Sequence, residues 1–147
     1  MKDYRIIEVK ESILEDNDRD AEELRKELKA QNTFLLNLMS SPGAGKTTTL
    51  VRTIGMLKDE FAIGIMEADI DSDVDAATIN QAGARTIQLH TGGMCHLDAE
   101  MSRQGMREMG TEDLDVVFLE NVGNLVCPAE FDTGAAISVP VGDECLG

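Results

Sequence analysis

The sequence predicts an α/β fold whose mostly parallel sheet is covered by helices on both faces. Apolar runs of strand length alternate along the chain with amphipathic stretches of helical length, a pattern typical of a parallel sheet. A glycine-rich loop, residues 40–47, stands directly between one such strand and one such helix. At 147 residues the chain is long enough for one core. We divide it into an N-terminal helical segment, residues 1–32, and an α/β domain formed by residues 33–147.

The first three predicted elements rest on the spacing of apolar side chains. Residues 7–29 are expected to form a helix, because apolar side chains recur at roughly helical spacing while the opposite face is charged. Residues 34–39 are an apolar run with the length of a buried strand. Residues 47–58 place Leu50 and Ile54 on one face of a second helix.

The middle of the chain continues the alternation. Residues 61–66 are a second apolar run and are expected to form a strand. Residues 72–81 predict a short helix, which Gly83 would stop. Residues 86–89 predict a third strand, followed by a turn at residues 91–93.

The last elements follow the same order of helix and strand. Residues 96–109 predict a helix that ends at Gly110. Residues 115–120 form the clearest strand after the first, and residues 135–141 predict one last short strand. No helix follows that strand, so we expect the fold to be incomplete at its C-terminus.

The charge of the chain limits its partners. Asp and Glu total 28 against 13 Lys and Arg, for a formal net charge of −15. Such a surface repels phosphate backbones, so general nucleic-acid binding is not expected. No apolar stretch approaches the length of a membrane span, and the first residues lack the apolar core of a signal peptide. We therefore expect a cytoplasmic protein whose three cysteines stay reduced.

Residues 40–47, Ser-Ser-Pro-Gly-Ala-Gly-Lys-Thr, have the composition and context of a phosphate-binding loop. In that geometry, backbone N–H groups and the following helix N-terminus surround an anion. Lys46 can reach the β- and γ-phosphates of a nucleotide, and the Thr47 hydroxyl can bind Mg²⁺. An ordinary glycine turn is the alternative, although both the spacing and the context weigh against it. The predicted nucleotide-binding residues of this loop are Gly43, Ala44, Gly45, Lys46, Thr47 and Thr48.

Acidic residues stand at the ends of two predicted strands. Asp69 and Glu120 should converge on the phosphates and the metal, because ligands of open parallel sheets bind beyond the carboxyl ends of the strands. Glu120 is suited to hold a metal-bound water, and the nearby Gly123 N–H is suited to sense the γ-phosphate. A solvent-facing loop acid is the alternative for Glu120.

Residues 69–75 carry an acid at every second position. This spacing suggests a calcium loop, but the glycine and glutamate that such a loop requires are replaced by Val74 and Asn80. The acids are therefore either solvated or part of a nucleotide-sensing loop. We assign Asp69 and Asp75 to the sensing loop and treat the two acids between them as surface residues.

Cys95, His96 and Cys127 are ligand types suited to Zn²⁺ or Ni²⁺. There is no paired Cys-x-x-Cys signature, so the residues alone favour ordinary thiols and a satisfied histidine. If they bind metal, water or a second subunit must complete the site. We assign Cys145 as a free thiol and give His90 no catalytic role.

Four segments together resemble the nickel-handling GTPases of the HypB/UreG family, and HypB in particular. Two of them are far more specific than a phosphate loop: His-Thr-Gly-Gly-Met-Cys-His-Leu-Asp at residues 90–98, and Glu-Asn-Val-Gly-Asn-Leu-Val-Cys-Pro at residues 120–128. The other two are residues 40–48 and 67–76. The resemblance spans residues 13–134 and favours the metal interpretation of Cys95, His96 and Cys127.

This resemblance implies Mg²⁺-dependent hydrolysis of GTP to GDP and phosphate, coupled to nickel insertion into [NiFe]-hydrogenase. It implies a homodimer in the GTP-bound form, with a Ni²⁺ or Zn²⁺ site between the subunits. The implied partners are a small zinc-containing nickel chaperone, HypA, and the hydrogenase large subunit. By motif, Lys46, Asp75 and Glu120 become the catalytic residues, and Thr47, Asp69 and Glu120 the magnesium site.

The chain departs from the family pattern in one important respect. The guanine-reading motif Asn-Lys-x-Asp is absent from the sequence, so we expect a truncated domain. An N-terminal cysteine cluster or histidine-rich stretch is also absent, which argues against nickel storage. Two alternatives therefore remain beside the GTPase. One is a truncated metal-binding domain without hydrolysis, and the other is a P-loop ATPase of related topology, although those relatives often carry a lysine where this chain has Ser41.

Overall fold

The computed structural model describes residues 5–8, 14–40, 46–68, 78–91, 97–121 and 132–141. Within these ranges the strands form one six-stranded sheet in the order β1-β4-β3-β5-β2-β6, and every pair is parallel. The elements are β1 (Arg5–Glu8), α1 (Leu14–Gln31), β2 (Phe34–Ser40), α2 (Lys46–Leu57), β3 (Ile63–Glu67), β4 (Arg85–His90), α3 (Ala99–Met109), β5 (Val116–Glu120) and β6 (Ile137–Val141). Residues 78–81 are helical, and a 3₁₀ turn spans Thr111–Asp113.

Helices cover both faces of this sheet. Leu24 and Leu28 of α1 and Met101 of α3 belong to one buried apolar cluster with side chains from β2, β3, β4 and β5. Leu50 and Ile54 of α2 belong to a second cluster on the opposite face. The predicted α/β class, with a parallel sheet between helical layers, is confirmed.

The predicted start of the first helix is wrong. Residues 5–8 form a strand whose Cα partners run from Ile87 to His90 of β4, and the helix begins at Leu14. Ile7 packs against the larger apolar cluster. Pairing with a strand about 80 residues away places these residues, and no local spacing reports such a partner.

The third helix begins later than predicted because of a capping residue. Asp98 has extended backbone geometry, and its carboxylate accepts a hydrogen bond from the Met101 N–H at 2.9 Å. This is the geometry of a helix N-cap, so α3 begins at Ala99 rather than at residue 96. Its end at Gly110 is as predicted: this glycine has φ 72° and donates its N–H to Met106 O.

The remaining strands lie within two residues of their predicted bounds. β3 runs from Ile63, because residues 58–61 form turns and a bend after α2. Of the helix predicted at 72–81, the described residues 78–81 are helical, and the rest lie outside the described ranges. Across the parts of the chain that the structure describes, no helix has the length and apolar character needed to cross a lipid bilayer.

Candidate phosphate and metal site

The flanks of the predicted phosphate loop have the expected structure. β2 ends at Ser40 and α2 begins at Lys46, so residues 41–45 connect a buried strand directly to a helix N-terminus. The backbones of Lys46 and Thr47 belong to the first turn of α2, and the Thr48 side chain is exposed. That turn carries no acidic residue, so no side chain of its own neutralises the positive end of the helix. This end of α2 is suited to an anion.

Glu120 is the predicted site residue that the structure describes most fully. It ends β5, which pairs with β2 on one side and with β3 on the other, and it is completely buried. It lies two residues beyond Phe118, which belongs to the apolar cluster under α2. Because side chains alternate along a strand, Glu120 projects from the same face of the sheet as α2 packs on.

Two further buried polar side chains lie in one row with Glu120 across the neighbouring strands. Glu67 on β3 is in register with Glu120, and Gln88 on β4 is in register with Glu67. Glu67 is 0% exposed and Gln88 is 1% exposed. Neither polar atom of the Gln88 amide finds a hydrogen-bond partner among the described residues. Adjacent buried carboxylates oppose each other's ionisation, which favours a proton or a cation beside them.

This row of polar residues suits a hard cation, because carboxylate and amide oxygens are its preferred ligands. Sequence reasoning selected Glu120 and missed Glu67. A signal was present, since Glu67 also follows an apolar run, but Asp69 was preferred as the strand-end acid. The register of β3 against β5 is what places Glu67 beside Glu120.

A second set of contacts fixes the residue that follows Glu120. The Asn121 amide donates to Asn37 Oδ1 at 3.0 Å, and the Asn37 amide donates to Ser138 Oγ at 3.1 Å. The Asn121 backbone N–H donates to Leu38 O at 3.0 Å. Asn37 and Asn121 are both buried. These bonds tie the exit of β5 to β2 and β6, at the start of the segment that carries Gly123 and Cys127.

The parallel sheet brings the predicted site segments to one edge. Because every strand runs in the same direction, their carboxyl ends share that edge. Residues 41–45, 69–77, 92–96 and 122–131 follow β2, β3, β4 and β5 respectively. The following predicted site residues lie in these segments, outside the described residues: Gly43, Ala44, Gly45, Asp69, Asp75, Cys95, His96, Gly123 and Cys127.

Two other residues from the sequence analysis also need placing. His90 ends β4 with an exposed side chain, and Cys145 lies outside the described ranges. Within those ranges, no group of three or more His, Cys, Asp or Glu side chains is placed to hold a metal ion. The proposed Cys/His site thus stays a prediction.

The parallel sheet, the strand–loop–helix unit and the buried carboxylates at the strand ends define a nucleotide-binding domain of the phosphate-loop class. The model of the CobW/HypB/UreG nucleotide-binding domain matches residues 34–141. The chain belongs to the CobW/HypB/UreG family, which confirms the resemblance seen in the sequence.

Individual relatives agree with this assignment. The hydrogenase maturation factor HypB of Rhizobium leguminosarum bv. viciae is 49% identical over 141 residues, which cover 96% of this chain and 47% of that protein. The crystal structure of HypB from Archaeoglobus fulgidus has a TM-score of 0.80 at 36% identity, covering 88% of this chain and 63% of that one. The crystal structure of HypB from Helicobacter pylori in complex with nickel has a TM-score of 0.72 at 36% identity, covering 84% and 59%. The chain spans about half the length of the curated relatives it matches.

Proposed function

We propose that this chain is the nucleotide-binding part of a cytoplasmic GTPase that helps to insert nickel into [NiFe]-hydrogenase. The observation that carries the proposal is the buried carboxylate of Glu120 at the end of β5, beside the strand from which the phosphate loop departs. Similarity to hydrogenase maturation factors supports the biological role, and some relatives are named hydrogenase/urease maturation factors. Thiolate ligands require reduced cysteines, which agrees with a cytoplasmic location.

In this proposal, the residues of the loop bind and orient the nucleotide. Backbone N–H groups of Gly43, Ala44 and Gly45 surround the phosphates, and Lys46 binds the β- and γ-phosphates. Thr48 extends the contact from the first turn of α2. Since phosphoryl transfer needs mainly positioning and charge neutralisation, these groups supply much of the catalysis.

The magnesium site is formed by Thr47, Asp69 and Glu120. The donor set fits Mg²⁺, because it consists of oxygen ligands and includes a buried carboxylate next to a second one. When bound, Mg²⁺ supplies charge neutralisation at the β- and γ-phosphates. With Mg²⁺ in place, Glu120 would orient a water at this site, and Asp75 and Gly123 would respond to the γ-phosphate. Loss of those contacts after hydrolysis loosens the dimer and alters metal affinity.

Nickel is the cargo in this proposal rather than a resident cofactor. Cys95, His96 and Cys127 bind Ni²⁺ or Zn²⁺ between two subunits of the GTP-bound homodimer, and a small zinc-containing chaperone and the hydrogenase large subunit are the partners. The nickel-bound structure of the Helicobacter pylori relative supports nickel as the cargo. Soft thiolate and imidazole ligands agree with either metal.

The nucleotide part is tested by Lys46→Ala. We expect GTP hydrolysis in the presence of Mg²⁺ to fall by ~10²-fold or more, because the variant loses a charge that stabilises the transferring phosphoryl group. The measurement is phosphate release, with binding of fluorescent GTP and ATP analogues recorded in parallel. Lys58→Ala is the matched control, since it removes the same charge beyond the other end of α2. Unchanged hydrolysis in Lys46→Ala would sink the proposal, and a preference for ATP would favour the ATPase alternative.

The metal part is tested by replacing Cys95 and Cys127 together with serine. We expect the purified variant to lose its bound Ni²⁺ or Zn²⁺ in equilibrium dialysis, because both thiolates are removed. Cys145→Ser is the control and should keep the metal. If the double variant binds as much metal as the parent chain, the Cys/His site is wrong. Metal binding that persists without any hydrolysis in the parent chain would favour the non-hydrolysing alternative.

A further inference from the structure

Asn17 connects helix α1 to two distant parts of the chain. This side chain is 2% exposed. Its Nδ2 donates to the Asp132 carbonyl oxygen at 2.9 Å, and its Oδ1 accepts from the Ala99 backbone N–H at 2.8 Å. We propose that Asn17 is a positioning residue of the Ni/Zn site, and this inference rests on the proposed function. Asn17 joins Ala99 to Asp132, and these two residues follow the two segments that carry the proposed metal ligands.

The contact to Ala99 fixes the beginning of α3. Ala99 is the first residue of this helix and lies three residues after His96. Its N–H is one of the first-turn donors that have no partner within a helix. The Asp98 carboxylate takes the Met101 N–H, so the Ala99 donor is left for Asn17. A side chain of α1 therefore completes the N-terminal cap of α3, directly after the segment that contains Cys95 and His96.

The contact to Asp132 holds the chain just after the segment that carries Cys127. Asp132 lies five residues after Cys127. Arg25, also on α1, binds both carboxylate oxygens of Asp132, at 2.8 and 2.9 Å. The Gly134 N–H donates to the same carboxylate at 2.9 Å. Helix α1 thus holds Asp132 by its main chain and by its side chain.

Ala99 and Asp132, which follow the two ligand-bearing segments, are therefore both held by helix α1, and the Asn17 side chain bonds to each of them. Metal sites require ligand positions within a few tenths of an ångström, so groups that fix the ligand-bearing chain contribute to affinity. Loss of an outer partner of a metal ligand typically weakens metal binding by ~10–100-fold. Asn17 acts through the main chain rather than on a ligand itself, so we expect an effect near the lower end of this range, ~10-fold.

The variant Asn17→Asp separates the two contacts. Aspartate keeps an acceptor for the Ala99 N–H, but a carboxylate cannot donate to the Asp132 carbonyl and is repelled by it. We expect Zn²⁺ affinity to fall by ~10-fold, measured by competition against Co²⁺, with an unchanged number of sites. The thiolate-to-cobalt absorption band should change in position or intensity, because the relative positions of the metal ligands change.

Thr33→Val is the matched control. Thr33 is also buried, and its hydroxyl donates to Leu114 O at 2.9 Å, at the opposite edge of the sheet. Valine removes that hydrogen bond with little change of shape, so the variant should lower thermal stability without altering Zn²⁺ affinity or the cobalt spectrum. If Thr33→Val weakens metal binding in the same proportion to its loss of stability as Asn17→Asp does, Asn17 has only a structural role and the inference is wrong.

The cysteine double variant distinguishes failure of the inference from failure of the proposed function. If that variant loses metal while Asn17→Asp binds Zn²⁺ as tightly as the parent chain, the metal site stands and the role of Asn17 is wrong. If the double variant keeps its metal, both are wrong. Should Asn17→Asp fail to fold, amide hydrogen exchange of the parent chain gives the answer. Zn²⁺ should slow exchange of the Ala99 amide and leave the Leu114 amide unchanged, and equal rates at Ala99 with and without metal would overturn the inference.

Discussion

At the scale of single residues, Asp132 shows how one helix controls a distant carboxylate. The hydrogen bonds from Arg25 are the largest cause that lowers the pKa of Asp132, and the Gly134 N–H adds to them against the opposing effect of burial. The same pairing raises the pKa of Arg25, mainly through Asp132. The folded state therefore favours the ionised carboxyl more than the unfolded state does.

This difference predicts how stability depends on pH. Because the folded pKa of Asp132 is depressed, its contribution is fully present above the unfolded carboxyl pKa of about 3.9 and is lost as pH falls through the folded value. Asp132→Asn should destabilise the chain at pH 5–7, and the difference from the parent chain should shrink below about pH 4. Thermal unfolding of both chains across this range measures it.

Asp113→Asn is the control for the pH experiment. Arg85 lowers the pKa of Asp113 as well, but this pair is exposed to solvent. Screening makes exposed pairs weak, so the control should change stability little at any pH. A constant stability difference between Asp132→Asn and the parent chain from pH 7 to pH 2.5 would contradict the assigned pairing.

At the scale of elements, two glycines in helix interiors have opposite surroundings. Gly55 lies on the exposed side of α2, and a Cβ there would meet nothing within 4 Å. Gly105 lies in α3, where a Cβ would approach Met66 Sδ to 2.7 Å and Leu89 Cδ2 to 3.0 Å. The close approach of α3 to β3 and β4 thus depends on a missing side chain.

These surroundings predict opposite effects of alanine. Gly55→Ala should stabilise the chain by about 0.5–1 kcal/mol, because alanine loses less backbone entropy in a helix. At Gly105 the same gain is outweighed by overpacking, which typically costs ~1–3 kcal/mol. Urea unfolding should give a higher midpoint for Gly55→Ala and a lower one for Gly105→Ala. If both midpoints rise equally, the packing of α3 on the sheet is looser than these distances state.

The elements also show what the sequence could and could not predict. β2 and β5 were predicted within one residue, because each is a continuous apolar run buried in the sheet. β1 was missed, since Ile6 and Ile7 become strand residues only by pairing with β4. The phosphate loop can be predicted from the sequence because its signal is local. The register that joins Glu67 to Glu120 is not local, and neither are the partners of Asn17.

Asn17 nevertheless left a weak signal. Asparagine is unfavourable in helix interiors, because its side chain competes for backbone hydrogen bonds. Its place in the second turn of α1 therefore hints at a specific partner, but spacing within α1 cannot say that the partners are Ala99 and Asp132.

At the scale of the whole molecule, the two faces of the sheet carry residues that belong to different parts of the proposed function. The face under α2 carries the row formed by Gln88, Glu67 and Glu120, and α2 is the helix that the predicted phosphate loop precedes. The opposite face carries α1 and α3, whose contacts hold the exits of the proposed metal-ligand segments. Since β3, β4 and β5 are shared by both faces, a shift at their common edge reaches both sites. For the proposed function, this arrangement offers a physical route by which the nucleotide site and the Cys/His site could be coupled.

The attachment of α1 to Asp132 also has a consequence for the order in which the protein matures on the ribosome. Asn17 and Asp132 are separated by 115 residues, so roughly 6–23 s of synthesis pass between them at about 5–20 residues per second. Helix α1 has 18 residues, and in proteins most of the stability of a helix comes from tertiary packing rather than from helix propensity. Helix α1 is thus synthesised well before one of the residues that hold it in place. During that interval Leu24 and Leu28 of α1 can already pack against the sheet, while the bonds of Asn17 and Arg25 to Asp132 form last.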